Sequence, residues 1–503
     1  MNIKQAKEEI ENTVRAYLKR DENGNYRIPP VRQRPMLLMG PPGVGKTQIV
    51  EQAARECGVA LVAYTITHHT RQSAVGLPFI REKTYGGKEF SVTEYTMSEI
   101  IASVYDRMEQ TGLCEGILFI DEINCVSETL APTMLQFLQG KTFGNQKVPE
   151  GWIIVAAGNP PEYNRSAREF DIVTLDRVRK IDVQPDFSVW KEYAYRQSIH
   201  GAILSYLELR GENFYRIETT PDGAAFATAR GWEDLSEMMT VCESLELEIG
   251  QDLILQYIQN PAVAKDFANY YELYQKYRDD YRVDEILNGQ ISERAVAMLQ
   301  HARFDERLSV IGLLLSRLNS AFRDAELTDR SVEAVFERLG EWKEELKKET
   351  VDPEAVLRRL AREAADSLAL RRESGRLDRD GETAESRCVR LLENYADELL
   401  RMERPGAEEA FETVKKHFGE ETARKEEITE TASKMLNHAF DFMSVTFGES
   451  QEMVIFVTEL TVGFYSSGFI LENGSEPYDR YNRSLLLGGR RREILKDIDG
   501  LST

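Results

Sequence analysis

At 503 residues the chain is long enough for two or more domains, and 42% hydrophobic with 9% aromatic residues is ample for packed cores, which excludes a disordered protein. Its 63 basic and 85 acidic residues leave a net charge of −22, which argues against a general phosphate-backbone binder while leaving room for a local basic patch. The five cysteines (Cys57, Cys114, Cys125, Cys242, Cys388) are scattered without C-x-x-C spacing and read as reduced thiols of a cytoplasmic protein rather than a zinc site.

Residues 1–20 are charged and amphipathic, not a basic patch followed by an apolar core, so no secretory signal is read there. Ile3, Ile10, Val14, Tyr17 and Leu18 recur at helical spacing and predict a leading helix that ends in the turn-rich Asp21-Glu22-Asn23-Gly24-Asn25. A segment with Pro29, Pro30 and Pro35 leads into the apolar strand Met36-Leu37-Leu38-Met39, followed by Gly40-Pro41-Pro42-Gly43-Val44-Gly45-Lys46-Thr47. That octapeptide fits G-x-x-x-x-G-K-[ST], a nucleotide phosphate cradle when a strand precedes it and a helix follows. A helix from Lys46 to about Glu56 would aim its N-terminal amides at the phosphates, and Gly40, Gly43 and Gly45 would let the backbone approach. Lys46 would place a charge on the β and γ phosphates and Thr47 a hydroxyl on Mg²⁺, so residues 40–48, ending at Gln48, form the predicted nucleotide-binding segment.

Further strands are predicted at 61–66, 117–121, 153–158 and 178–183, with helical stretches between, an alternation that predicts a parallel sheet covered by helices on both faces. The pair His68-His69 has no Cys/His cluster around it and reads as polar residues at a strand end, not a transition-metal site. Residues 79–83 and 88–92 flank Thr84-Tyr85-Gly86-Gly87 in a hairpin pattern, and Thr96-Met97-Ser98-Glu99 has capping-box spacing before a helix at 100–108. The strand at 117–121 ends in Asp121-Glu122: Asp121 would hold Mg²⁺ with Thr47, and Glu122 would polarise the water that attacks the γ phosphate. Ligands bind at strand ends in open parallel sheets, so both motifs converge on one crevice. A second hairpin pattern, 141–149 around Gly144-Asn145, precedes the strand that ends in Asn159-Pro160-Pro161. Asn159 is read as lying beside Glu122 and positioning the lytic water, in preference to a plain turn residue.

After Pro185 the pattern turns helical and stays so. Phe267, Tyr270, Tyr271, Tyr274 and Tyr281 form an aromatic stripe at helical spacing, read as core in preference to a base-stacking surface. From about 283 the sequence is highly charged and helical, as in 333–348 and 354–372, with Asp352-Pro353 supplying a cap and a first-turn proline; 375–386 reads as a polar loop. The longest apolar run, 453–471, contains Glu459 and reads as one buried helix rather than a membrane span. The predicted organisation is an N-terminal helix and linker (1–30), an α/β nucleotide-binding core (31–185), a helical lid (186–282) and an α-helical C-terminal region (283–503).

Residues 40–47, the stretch 117–124 ending Asp-Glu-Ile-Asn, and Ala156-Ala157-Gly158-Asn159-Pro160 together resemble the AAA+ ATPases of the MoxR, or dynein-related, branch over roughly residues 30–280. In that family a helix-2 insert and a pre-sensor-1 hairpin occupy the places of the two hairpin patterns, and subunits assemble into rings, usually hexamers. The resemblance implies ATP and Mg²⁺ as ligands and two further arginines. Leu175-Asp176-Arg177-Val178 resembles the family's Leu-Asp-Arg-Phe element, making Arg177 the arginine finger that reaches a neighbour's nucleotide, with Arg168 and Arg179 as rivals. Thr228-Ala229-Arg230-Gly231-Trp232-Glu233-Asp234-Leu235 resembles the sensor-2 element, making Arg230 a cis arginine at the start of a lid helix. The chain departs from the family's pattern at Ala229, where proline is common, and at Cys125, where arginine is common.

The resemblance implies an ATP-hydrolysing, chaperone-like remodeler or maturation factor with a von Willebrand factor A-domain protein as partner. Two rivals stand beside it. A nucleic-acid motor of the restriction-NTPase type would carry an Asn-Thr-Ala-Asp element where this chain has Ala156-Ala157-Gly158-Asn159-Pro160, and the net charge of −22 also speaks against it. A nucleotide-gated scaffold would not need the intact set of Lys46, Asp121 and Glu122.

Overall fold

The computed structural model describes residues 1–484, apart from 69–71, 73, 75, 144–145, 165, 221–222, 348–350 and 403–404. They divide into two compact units, Met1–Val189 with Ala369–Asp378, and Trp190–Leu368 with the residues from Arg379 onward.

In the first unit the chain runs α1 (Ile3–Leu18), β1 (Met36–Met39), α2 (Lys46–Glu56), β2 (Ala60–Thr65), β3 (Pro78–Tyr85), β4 (Lys88–Tyr95) and α3 (Glu99–Thr111). It continues as β5 (Gly116–Asp121), α4 (Ala131–Gly140), β6 (Thr142–Phe143), β7 (Gln146–Lys147), β8 (Trp152–Gly158), α5 (Ile172–Leu175) and β9 (Arg179–Asp182). Five of these strands form a parallel sheet in the order β2-β5-β8-β1-β9. The apolar runs of the three central strands β1, β5 and β8 follow from burial on both faces. Met36, Leu38, Ile117, Phe119, Ile153 and Val155 pack with α1 and α2, whereas Leu37, Leu118, Ile120 and Ile154 pack with α3 and α4.

The leading helix is part of this core. A capping box starts it: the Asn2 side chain accepts from the Gln5 amide at 3.0 Å, and the Gln5 side chain accepts from the Asn2 amide at 3.2 Å. Ala6, Ile10, Val14 and Tyr17 are buried against α2. The linker is pinned as well, since the Gln33 side-chain amide donates to the Tyr17 carbonyl at 2.9 Å.

Both hairpins form. β3 and β4 pair antiparallel along their whole length, and their turn holds Gly86 and Gly87 at φ 57° and 78°, where a side chain would be strained. β6 pairs with β7, while their predicted turn, Gly144-Asn145, lies outside the described residues, as does His69. The predicted capping box before α3 does not form. Ser98 is the N-cap and its hydroxyl is held by the Ala74 carbonyl, while the Thr96 hydroxyl accepts from the Leu77 amide at 2.8 Å and so ties off the hairpin's base instead.

Lys141, just after α4, donates to the Gln33 side chain at 3.3 Å, and burial pushes its amine down from the usual 10.5 to about 8. Below about pH 8 the amine is charged in both folded and unfolded chains, and burying that charge costs stability. Between about 8 and 10.5 only the unfolded chain holds the proton, so this group's contribution to stability rises with pH. Lys141→Met is therefore expected to stabilise the protein at pH 7 by on the order of 1–3 kcal/mol, with the advantage fading as pH approaches 10.5. Paired denaturation curves across that range check this, and an advantage that is flat with pH would contradict it.

The second unit is mainly helical but contains a hairpin, β10 (Arg216–Thr220) with β11 (Gly223–Ala227), in the stretch predicted to be wholly helical. Its signals are Ile217, Thr219 and Thr220, which favour extended backbone, and the Asp222-Gly223 step, with Gly223 at φ 130°. The aromatic stripe is core: Phe267, Tyr271, Tyr274 and Tyr281 on the helix Pro261–Tyr281 are buried, and Phe267 meets Tyr206 and Trp232 with ring centroids 5.2 and 5.3 Å apart.

Two other expectations are corrected. The predicted loop at 375–386 is helical from its fifth residue, because Gly375 at φ 68° ends the helix Pro353–Glu373 and the next helix, Arg379–Arg401, opens with Asp380 and Glu382 in its first turn. The apolar run at 453–471 is two helices, Gln451–Val462 and Phe464–Asn473, bent by 86° at Gly463. No single helix among the described residues is long and apolar enough to cross a membrane. Glu459 within that run accepts from Lys191 at 2.6 Å and from the Tyr195 hydroxyl, a satisfied acid in a folded interior.

Candidate nucleotide site

Three neighbouring strands, β5, β8 and β1, deliver the predicted residues to one edge of the sheet. The loop after β1 turns through Gly43 at φ 70° and Gly45 at φ 95°, and Gly45 caps α2. Gly40 is confined for a different reason: a Cβ there would lie 2.7 Å from the Val183 carbonyl oxygen at the end of β9. Lys46 is buried at 8% exposure, and its ammonium donates to the Gly40 carbonyl at 2.8 Å, the Pro41 carbonyl at 2.9 Å and Asn159 Oδ1 at 2.8 Å. These three oxygens hold the ammonium at the mouth of the loop that follows β1.

Thr47 Oγ1 donates to Asp121 Oδ2 at 3.2 Å, joining residues 74 positions apart. A hydroxyl and a carboxylate oxygen are the hard donors that suit Mg²⁺. Glu122, next in sequence, is a non-glycine residue at φ 56°. Its amide donates to Asp121 Oδ1 at 2.8 Å, and its carboxylate accepts from Thr67 Oγ1 at 2.8 Å. The left-handed backbone costs about 1–2 kcal/mol and turns the two consecutive carboxylates to different partners, Asp121 to Thr47 and Glu122 to Thr67.

Asn159 is held by Lys46 rather than placed on Glu122, and its backbone carbonyl accepts from Asn124 Nδ2 at 2.7 Å. Asn124 also reaches the Arg168 carbonyl at 3.3 Å, so it clamps two loops of the site. Gly158 permits this clamp, since a Cβ there would fall 2.5 Å from Asn124 Oδ1. Thr67 and Asn124 were not assigned roles from sequence. Asn124 closes the Asp-Glu-Ile-Asn motif and was in view, whereas Thr67 follows β2 with no pattern to mark it. Cys125, beside them, is a thiol pushed up by burial and by the charges of Glu122 and Asp121, which keeps it neutral.

The arginines are placed differently. Arg177, just after α5, is exposed and rests on the neutral side chain of Gln139. Arg168 is exposed and pairs with Glu128 at 2.9 Å. Arg179 is partly buried and engaged by Thr13 and Glu9 of α1. Arg230 lies in the second unit, exposed in the first turn of the helix Ala229–Ser244, whose N-cap Thr228 accepts from the Gly231 amide at 3.2 Å. The helix thus starts at Ala229, although proline is absent there.

Residues 36–175 match the model of the ATPase family associated with various cellular activities, AAA. This stretch is an AAA domain. Among solved structures, a candidate ATPase from Cytophaga hutchinsonii aligns with 16% identity over 39% of this chain and 50% of that one, at a TM-score of 0.24. The FIGL-1 AAA domain in complex with ADP aligns with 16% identity over 47% of this chain and 64% of that one, at a TM-score of 0.25. The chain thus spans only 50% and 64% of the lengths of those two proteins. No curated protein matches it. The matched stretch holds the cradle, the Thr47–Asp121 pair and four of the five strands of the parallel sheet, and it ends just before Arg177.

Proposed function

We propose that this chain hydrolyses ATP with Mg²⁺, works as a ring of the MoxR type, and uses the resulting motion to remodel a protein client alongside a von Willebrand factor A-domain partner in the cytoplasm. The Thr47–Asp121 contact of 3.2 Å beside buried Lys46 carries the hydrolytic part of this reading. When bound, Mg²⁺ would neutralise charge on the β and γ phosphates. Thr47 and Asp121 would hold it, and the amides at the start of α2 would receive the phosphates. Lys46 would draw the γ phosphate toward Asn159, and Glu122 would take the proton from the attacking water, its carboxylate oriented by Thr67.

Of the finger candidates, Arg179 is committed to α1 of its own chain. Arg177 is exposed, rests on the Gln139 side chain and feels the Asp171 carboxylate, and it sits beside Ile172 and Val173, which are 84% and 57% exposed and would be covered by a neighbouring copy. The cis sensor role of Arg230 rests on the resemblance of residues 228–235 to the sensor-2 element. The remodeler role and the von Willebrand factor A partner rest on the resemblance of the Asp121-Glu122-Ile123-Asn124 and Ala156-to-Pro160 motifs.

A shared site makes turnover depend on assembly. Specific ATPase activity per chain is expected to rise with protein concentration in step with the mass measured by light scattering. Constant specific activity across a range in which the ring dissociates would rule out the shared site.

A further inference from the structure

The hairpin of β3 and β4 sorts its charge by face. In its antiparallel register one face carries Arg81, Lys83 and Lys88 interleaved with the rings of Phe79, Tyr85 and Phe90. The one carboxylate on that face, Glu94, is shared by Arg81 at 3.4 Å and by Lys83, so three cations meet a single acid. The opposite face holds Glu82 and Glu89 and no cation. The rings are open to solvent, with Phe79, Tyr85 and Phe90 at 42%, 55% and 49% exposure, and Tyr85 lies 6.1 Å from Phe90. In a chain of net charge −22 this is a local reversal of sign, and screening over about 8 Å lets a local patch act on its own.

A second observation concerns the backbone. β3 and β4 form a two-stranded sheet with eight residues in each strand, and no third strand pairs with either among the described residues. Each outer edge therefore offers unpaired amides and carbonyls, a template that another polypeptide can use and a nucleic acid cannot.

We propose that the basic, aromatic face of this hairpin receives an extended acidic segment of a client polypeptide, which adds to a hairpin edge as a further strand. Its carboxylates meet Arg81, Lys83 and Lys88 with their methylene stems against Tyr85 and Phe90, and the apolar side chains that alternate with them fall on the opposite face, beside the exposed Ile80. The inference rests on the remodeler reading and names the chemistry that such a client must present.

Fluorescence anisotropy on the full chain tests it with three labelled probes: a short peptide alternating Glu and Val, its counterpart alternating Lys and Val, and an oligothymidylate. The Glu peptide is expected to bind, more weakly as salt rises, and the Lys peptide is not. The charge reversal Arg81→Glu, Lys83→Glu and Lys88→Glu should weaken the Glu peptide by on the order of tenfold or more and confer binding of the Lys peptide. Lys88→Glu alone, at a residue with no ion pair among the described contacts, should move affinity in the same direction with the circular dichroism spectrum unchanged. Unaltered Glu-peptide affinity in both variants, tighter binding of the oligothymidylate, or no binding of any probe would overturn the proposal. These assays need no hydrolysis, so a dead ATPase that still binds the Glu peptide would count against the proposed function and not against this surface.

Discussion

Glu122→Gln is expected to lower ATP turnover by about 10²–10⁴-fold while leaving nucleotide binding intact. The substitution keeps the side chain's size and an oxygen for the Thr67 hydroxyl, and it leaves untouched the Asp121 carboxylate that holds the Glu122 amide. What it removes is the basic oxygen needed to take a proton from water. Phosphate release and equilibrium binding of a fluorescent ATP analogue, measured on the same preparation, separate the two effects. Turnover that survives the change would show that another group is the base. Lost binding would show instead that Glu122 serves the metal, as Asp121 is proposed to do.

Arg177→Ala is expected to cost more, about 10³–10⁵-fold in turnover, because a finger arginine stabilises charge that develops only in the transition state. The loss alone does not say whose nucleotide Arg177 serves. Mixing Arg177→Ala chains with Lys46→Ala chains does. A ring containing both has interfaces where an intact Lys46 loop meets an intact Arg177, so activity should return although neither parent is active. Mixed rings that remain inactive would return the role to Arg168, whose only side-chain partner among the described contacts is the exposed Glu128.

The core was readable because its signals are local. A G-x-x-x-x-G-K-[ST] loop requires a strand before it and a helix after it, and strands buried on both faces must be apolar at every position. Asp121 and Glu122 followed from the same logic, since a strand end is where a parallel sheet leaves room for a ligand. What escaped notice depended on contacts between distant residues. Thr67 becomes a partner of Glu122 only because β2 and β5 are adjacent and in register, with Thr65 opposite Asp121. Asn159 was drawn to Lys46, whose buried ammonium needs acceptors more than Glu122 needs a neutral neighbour. The β10–β11 hairpin was overlooked because five-residue strands are too short for periodicity to outvote the helical sequence around them. The capping-box spacing failed at Thr96 because the hairpin's base competed for the same hydroxyl.

Helix α1 and strand β9 lie outside the segment that the AAA family model recognises, residues 36–175, yet one covers a face of the sheet and the other flanks β1. The boundary of recognisable ancestry is therefore not the boundary of folding. A fragment cut at residues 36 and 175 would strip Ala6, Ile10, Val14 and Tyr17 from the cluster that contains Met36, Leu38, Ile153 and Val155, and would leave the β9 side of β1 as an open edge beside the phosphate loop. Such a fragment would retain every motif residue from Lys46 to Asn159 and lack the scaffold that holds them in place.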